Sequence, residues 1–203
     1  MNLLLIALLM STIITITQQA SHNLVNIQKV NPCIKLDIRY ATPNNFTKKI
    51  IYSSAQCFLL KETAAKIDAV QKELETMGLG LLIWDGYRPR SVQQLFWDLV
   101  PDPRYVADPK KGSRHNSGCA VDCTLIDKQG NLLKMPTDFD DFTEKAHRNY
   151  MHTSSTAIKN RELLEKIMVK HGFKGLPTEW WHFDLVGWEK YPFLDVGFDE
   201  LEG

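Results

Sequence analysis

The chain opens on an apolar stretch. Leu3 to Met10 is almost wholly apolar, Ile13, Ile14 and Ile16 extend it, and Gln18-Gln19-Ala20-Ser21-His22 turns polar. A comfortable membrane span needs about 20 apolar residues, more than this run offers. Its length suits the apolar region of a secretory leader cut after Ala20. No Lys or Arg precedes it, and Gln18 breaks the small-x-small cleavage pattern. An N-terminal core strand or helix is the competing reading. The expectation is a signal peptide over residues 1–20, then one exported domain over residues 21–203 with no further membrane span.

Beyond residue 20 the apolar positions predict a mixture of elements. Ile34 to Tyr40 alternates apolar and polar and reads as a half-buried strand, ended by Thr42-Pro43-Asn44-Asn45. Thr63 to Met77 carries Ala64, Ile67, Val70 and Leu74 on one helical face and stops at Gly78. Leu79 to Trp84 has the length of a buried strand. Val92, Leu95, Phe96 and Leu99 then recur at helical spacing after Pro89, and residues 101–112 form a loop. Ala120 to Ile126 is a strand, Asn160 to His171 a helix closed by Gly172, and Trp180 to Val186 a strand. Without strict strand–helix alternation, this is a single α+β domain around a central antiparallel sheet with flanking helices.

Composition narrows the function classes. The 203 residues include 24 Lys+Arg and 24 Asp+Glu, so no basic surplus argues for nucleic acid or a membrane surface. The four cysteines form no C-x-x-C pair, which disfavours a cysteine zinc site. Cys119 and Cys123 on one strand would stand about 13 Å apart, too far for a disulfide. Cys33 and Cys57 are the pair to test in an oxidising compartment, against four small buried hydrophobes. Asn45-Phe46-Thr47 has the form of a glycosylation acceptor.

Candidate chemistry gathers in three places. His115 and Asp122 are both good zinc ligand types. To share one ion, their ligating atoms must lie within about 4 Å, whereas seven extended residues span about 23 Å. Asn116-Ser117-Gly118 is suited to fold the chain back. A carboxylate inside the apolar strand Ala120–Leu125 needs a cation, a metal or several donors; an Asp capping a turn and a core His are the alternative. Glu179-Trp180-Trp181-His182 adds a possible third ligand, His182, and a carboxylate base, Glu179; the alternative is a structural aromatic cluster. Arg88, held before Pro89, suits an oxyanion or a carboxylate, or a plain salt bridge to Asp85. His22, His147, His152 and His171 read as non-ligands.

In order, these segments resemble the D-alanyl-D-alanine dipeptidase family, which includes the vancomycin-resistance dipeptidases. The matching stretches are Asp37-Ile38-Arg39-Tyr40-Ala41-Thr42, Asn45-Phe46-Thr47 and Trp84-Asp85-Gly86-Tyr87-Arg88-Pro89. They continue with Ser113-x-His115-x-x-Gly118-x-Ala120-x-Asp122-x-Thr124-Leu125, Phe139-Asp140 and Glu179-Trp180-Trp181-His182. The resemblance runs from Ile34 to Tyr191. It implies the zinc peptidase fold shared with some D,D-carboxypeptidases and hedgehog signalling domains, and one Zn2+ held by His115, Asp122 and His182. It also implies Glu179 as general base, Arg88 as transition-state stabiliser, and Ser113, Tyr40 and Asp140 around a small dipeptide substrate, with Asp140 meeting its ammonium. A leader is not general in the family and points to peptidoglycan peptides outside the cytoplasm. A carboxypeptidase or endopeptidase on longer stems, or a non-catalytic zinc-binding module, are the competing functions.

Overall fold

The computed structural model describes residues 23–103 and 105–202, so the leader and His22 lie outside the described residues. The described residues form seven strands: β1 (Leu24–Asn26), β2 (Lys35–Leu36), β3 (Phe58–Leu60), β4 (Leu79–Asp85), β5 (Ala120–Asp127), β6 (Phe173–Leu176) and β7 (Glu179–Leu185). The longer helices are α2 (Lys61–Thr76), α3 (Arg90–Leu99) and α4 (Ser155–Lys170); α1 (Ile27–Val30) and α5 (Phe198–Leu201) are single turns.

Five strands form the main sheet in the order β2-β4-β5-β7-β6, and β1 pairs with β3 in a separate ribbon. β4, β5, β7 and β6 run antiparallel, as expected from the sequence, but the edge strand β2 runs parallel to β4. Strand β5 sits at the centre and is buried along all but its last residue, which explains why it reads as an apolar run apart from Asp122 and Thr124. Helix α2 buries Ala64, Ile67, Val70 and Leu74 and packs on β4; α4 packs on β5, β6 and β7. The core lies between these helices and the sheet.

Two local differences have physical reasons. The strand expected over residues 34–40 pairs only at Lys35–Leu36, and Arg39–Ala41 forms a 3-10 turn. That turn sends Tyr40 into an aromatic cluster, 4.7 Å from Phe96 and 5.4 Å from Tyr52 between ring centroids. Helix α4 starts five residues before the expected Asn160, because the Ser154 hydroxyl accepts from the Ala157 N–H at 3.2 Å and caps it. Cys33 is exposed while Cys57, Cys119 and Cys123 are buried, and all four are free thiols.

The loop after Tyr40 is closed by a side chain. The buried Asn45 amide donates to the carbonyls of Arg39, Thr42 and Lys49 at 3.2, 2.6 and 2.8 Å. Its oxygen accepts from the Thr47 N–H and hydroxyl at 2.9 and 2.6 Å.

Candidate metal centre and active-site cleft

His115 rides on a 3-10 turn, Arg114–Ser117, whose geometry is set by its neighbours. The Ser113 N–H donates to the Asn116 side-chain oxygen at 2.7 Å, and the Asn116 amide donates to the Arg88 carbonyl at 2.8 Å. Gly118 ends the turn in the left-handed region at φ +71°, where an added Cβ would stand 2.7 Å from Leu24 and 2.8 Å from the Leu60 backbone nitrogen. The chain thus folds back at Asn116-Ser117-Gly118, as its residues suggest. Asp122 follows on β5, directly opposite His182 on β7.

Three donor atoms converge there. His182 Nδ1 lies 3.0 Å from Asp122 Oδ1 and 3.2 Å from His115 Nε2, and His115 Nε2 lies 3.4 Å from Asp122 Oδ2. Donors about 2 Å from one tetrahedral ion stand about 3.3 Å from one another, so the spacing fits zinc. Each ring is also fixed from behind. His115 Nδ1–H donates to the Gly86 carbonyl at 2.7 Å, and His182 Nε2–H donates to Asp184 at 2.8 Å. Both outward partners accept only, so a metal that displaces the proton shared by His182 Nδ1 and Asp122 would meet lone pairs on His115 Nε2 and His182 Nδ1. All three residues are buried, so this set is able to hold one metal ion.

The cluster lies in the wall of a cavity of about 240 Å3. Glu179, Arg88, Ser113, Tyr40 and Asp140 all line the same cavity. Glu179 Oε2 stands 3.9 Å from His182 Nδ1. The Tyr40 hydroxyl donates to Asp140 at 3.1 Å, and Asp140 adopts φ +57°, uncommon for a residue with a side chain. Arg88 does form the salt bridge to Asp85, at 2.7 Å from Nη2 and 3.2 Å from Nε, while its Nη1 donates to Gln93 at 2.8 Å. The salt bridge and the cleft position coexist. A guanidinium has five N–H donors, so those three bonds leave one on each terminal nitrogen. Asp85 is itself held by the Tyr52 hydroxyl at 2.8 Å.

The electrostatics reflect crowded carboxylates. Burial raises the Asp122 carboxyl, but the His115 and His182 rings outweigh it and hold it well below the usual range. Burial lowers His182, yet its hydrogen bonds with Asp122 and Asp184 dominate and push it up to about 10. Glu179 is raised by burial, against the lowering effect of His182. Asp140 is raised well above the usual range, first by burial and then by the nearby Asp122 and Glu179 charges.

Asp184 and Gln93 complete this arrangement and were not singled out in the sequence. Asp184 had a signal: two residues beyond His182 on a strand, it must share its face. Gln93 had none, since nothing in a helix-forming segment reveals that its amide faces Arg88. Of the remaining described histidines, His171 pairs with Glu73 at 2.7 Å, and neither His147 nor His152 joins the cluster.

Known proteins resemble this chain. A family model described as D-ala-D-ala dipeptidase matches residues 20–196. A protein of Escherichia coli strain K12 named D-alanyl-D-alanine dipeptidase is 39% identical over 171 residues, covering 84% of this chain and 89% of its own. One of the same name from Enterococcus faecalis is 32% identical over 180 residues, covering 78% and 89%. A solved structure of the LdcB LD-carboxypeptidase aligns with a TM-score of 0.48 at 19% identity, covering 82% of this chain and 69% of that one. By the family match and by the extent and identity of the Escherichia coli and Enterococcus faecalis relatives, the chain belongs to the D-Ala-D-Ala dipeptidase family of peptidases.

Proposed function

We propose that the protein is a zinc-dependent dipeptidase that hydrolyses D-Ala-D-Ala or a closely related dipeptide. The observation that carries this reading is the convergence of His115 Nε2, His182 Nδ1 and Asp122 on one point in a cleft that Glu179 and Arg88 also line. His115, Asp122 and His182 would hold the zinc, which would supply Lewis acidity for the scissile carbonyl and a lowered pKa for a water near neutral pH. Glu179 would take the proton from the attacking water and return it to the departing amine. The free N–H donors of Arg88 meet the charge developing on the carbonyl oxygen, with Asp85 and Gln93 fixing the plane of the fork. Ser113, Tyr40 and Asp140 hold the ends of the dipeptide, and Asp140 takes its ammonium. The small cavity, below the roughly 300–1,000 Å3 usual for ligand clefts, supports a small substrate.

We also propose that residues 1–20 are a leader and that the enzyme works on peptidoglycan peptides outside the cytoplasm. The family match begins at residue 20, just after the apolar run, which supports this. Protein recovered from its native source then begins near Ser21; an intact Met1 overturns it.

The catalytic reading is tested by measuring hydrolysis of D-Ala-D-Ala, L-Ala-L-Ala and acetylated D-Ala-D-Ala with and without a chelator. Chelator-sensitive cleavage of free D-Ala-D-Ala is expected. Equal cleavage of the acetylated form, or of a longer stem peptide, replaces the dipeptidase with a carboxypeptidase. Zinc binding without cleavage of any of them leaves a binding module.

A further inference from the structure

Residues three apart on a regular strand point to opposite faces of the sheet. Glu179 and His182 are three apart on β7, yet both line the cleft, with Glu179 Oε2 3.9 Å from His182 Nδ1. The pairing of β6 with β7 explains how. Gly175 pairs with Phe183, but the next residue, Leu176, pairs with Glu179. Trp180, Trp181 and His182 therefore lie between two successive pairings on β7, with no counterpart on β6. This bulge re-aims the strand, as bulges beside functional sites commonly do. It also interrupts the backbone ladder between Leu176 and His182.

Arg148 fills the interruption. Its Nε–H donates to the Leu176 carbonyl at 2.8 Å and its Nη2–H to the His182 carbonyl at 2.7 Å. Its own backbone N–H donates to the Pro177 carbonyl at 2.9 Å. The guanidinium lies 4.3 Å from the Phe183 ring centroid, and Glu165 stands 3.5 Å from Nη1. Gly175 leaves the space for it: a Cβ there would collide with the guanidinium. One side chain thus takes the place of a strand partner, on both sides of the hairpin.

We propose that Arg148 is a positioning residue. It holds the β7 bulge in the shape that sets Glu179 beside His182, acting through backbone carbonyls and touching no substrate. Only a planar fork bonds both carbonyls at once while lying flat against Phe183, so an ammonium is a poor replacement. The inference rests on the roles proposed above for Glu179 and His182, and it extends them.

Arg148→Lys and Gly175→Ala test it from opposite sides, the second without altering Arg148. Each variant is purified and compared with wild type for zinc affinity by chelator competition, for the visible spectrum of its cobalt(II) form, and for kcat and KM on D-Ala-D-Ala. Zinc affinity is expected to fall by about 10- to 100-fold, as for other groups that orient a ligand from behind. The kcat per bound zinc is expected to fall by about 10²-fold, typical of a small misplacement of catalytic groups. The cobalt spectrum is expected to change, and KM to stay near wild type because Tyr40, Asp140 and Ser113 are untouched. A lowered Tm with wild-type zinc affinity, spectrum and kcat in both variants makes Arg148 a structural staple and overturns the proposal. Wild-type protein that binds cobalt but cleaves no dipeptide defeats the functional reading instead, and the spectra of the variants still decide the role of Arg148.

Discussion

Asp184 fixes which nitrogen of His182 faces the cleft. The two residues share one face of β7, and the 2.8 Å hydrogen bond from His182 Nε2–H to Asp184 leaves Nδ1 turned toward Asp122 and His115. Arg114 stands behind Asp184 at 3.6 Å and stacks over Trp188 at 5.4 Å. A ring held in this way neither flips nor changes tautomer easily.

Replacing Asp184 with Ala is therefore expected to weaken zinc binding by about 10- to 100-fold while the ligands themselves remain. Chelator competition measures this. Unchanged affinity would reduce the Asp184 contact to an incidental salt link.

Glu179→Gln separates base from ligand. Its zinc content is expected to stay at wild-type level while turnover falls by about 10²- to 10⁴-fold, the usual size of a general-base effect. His115→Ala, Asp122→Ala and His182→Ala are expected to lose zinc. A Glu179 variant that arrives metal-free exchanges those assignments.

The metal-free protein has a pH signature. His182 is raised from about 6.5 to about 10, so its contribution to stability is complete below about pH 6.5 and is lost as pH rises toward 10. Glu179 and Asp140 are also raised and act in the same direction. Asp122 is lowered, so its contribution is present above about pH 3.9 and is lost only on further acidification. The Tm of chelator-stripped protein is expected to peak on the acid side of neutrality and fall from pH 6.5 to 10. Zinc displaces the His182 proton, so the loaded protein is expected to show a smaller fall. Parallel curves for the two forms would exclude that exchange.

Asp140→Asn probes the amino end of the cleft. A carboxylate whose hydrogen-bonding neighbour is a tyrosine hydroxyl gains a charge-assisted bond from a substrate ammonium. The variant is expected to lose most of its activity on free D-Ala-D-Ala and little of whatever it has on the acetylated form. An equal loss on both would move the ammonium site to Asp138 or Asp141.

Much of this site was legible in the chain. A buried strand interrupted by Asp122, a turn-forming triplet after His115 and a Glu-x-x-His in aromatic surroundings each carry a local chemical conflict that a metal would resolve. What stayed hidden is non-local. Nothing in the spacing of Glu179 and His182 announces that a three-residue bulge turns both to one cleft, because register belongs to the pairing of two strands. Arg148 lies 34 residues before the carbonyl it binds, and its partners are backbone atoms that every residue possesses. The alternation predicts too long a β2 for a related reason: it continues past the point where Tyr40 leaves the sheet for the aromatic cluster.

Asn45 carries a consequence for the order of events during synthesis. Its amide nitrogen is the nucleophile that a glycosylating enzyme would join to a sugar, and in the folded protein that atom is buried and bonded to three carbonyls. A sugar can be attached there only while the loop is still open, and once attached it holds the loop apart from Arg39 and Lys49. Folding and glycosylation thus compete for a single nitrogen. In a compartment with such enzymes, the faster process decides whether the chain leaves with this loop closed on Asn45 or as a decorated form with the loop held open.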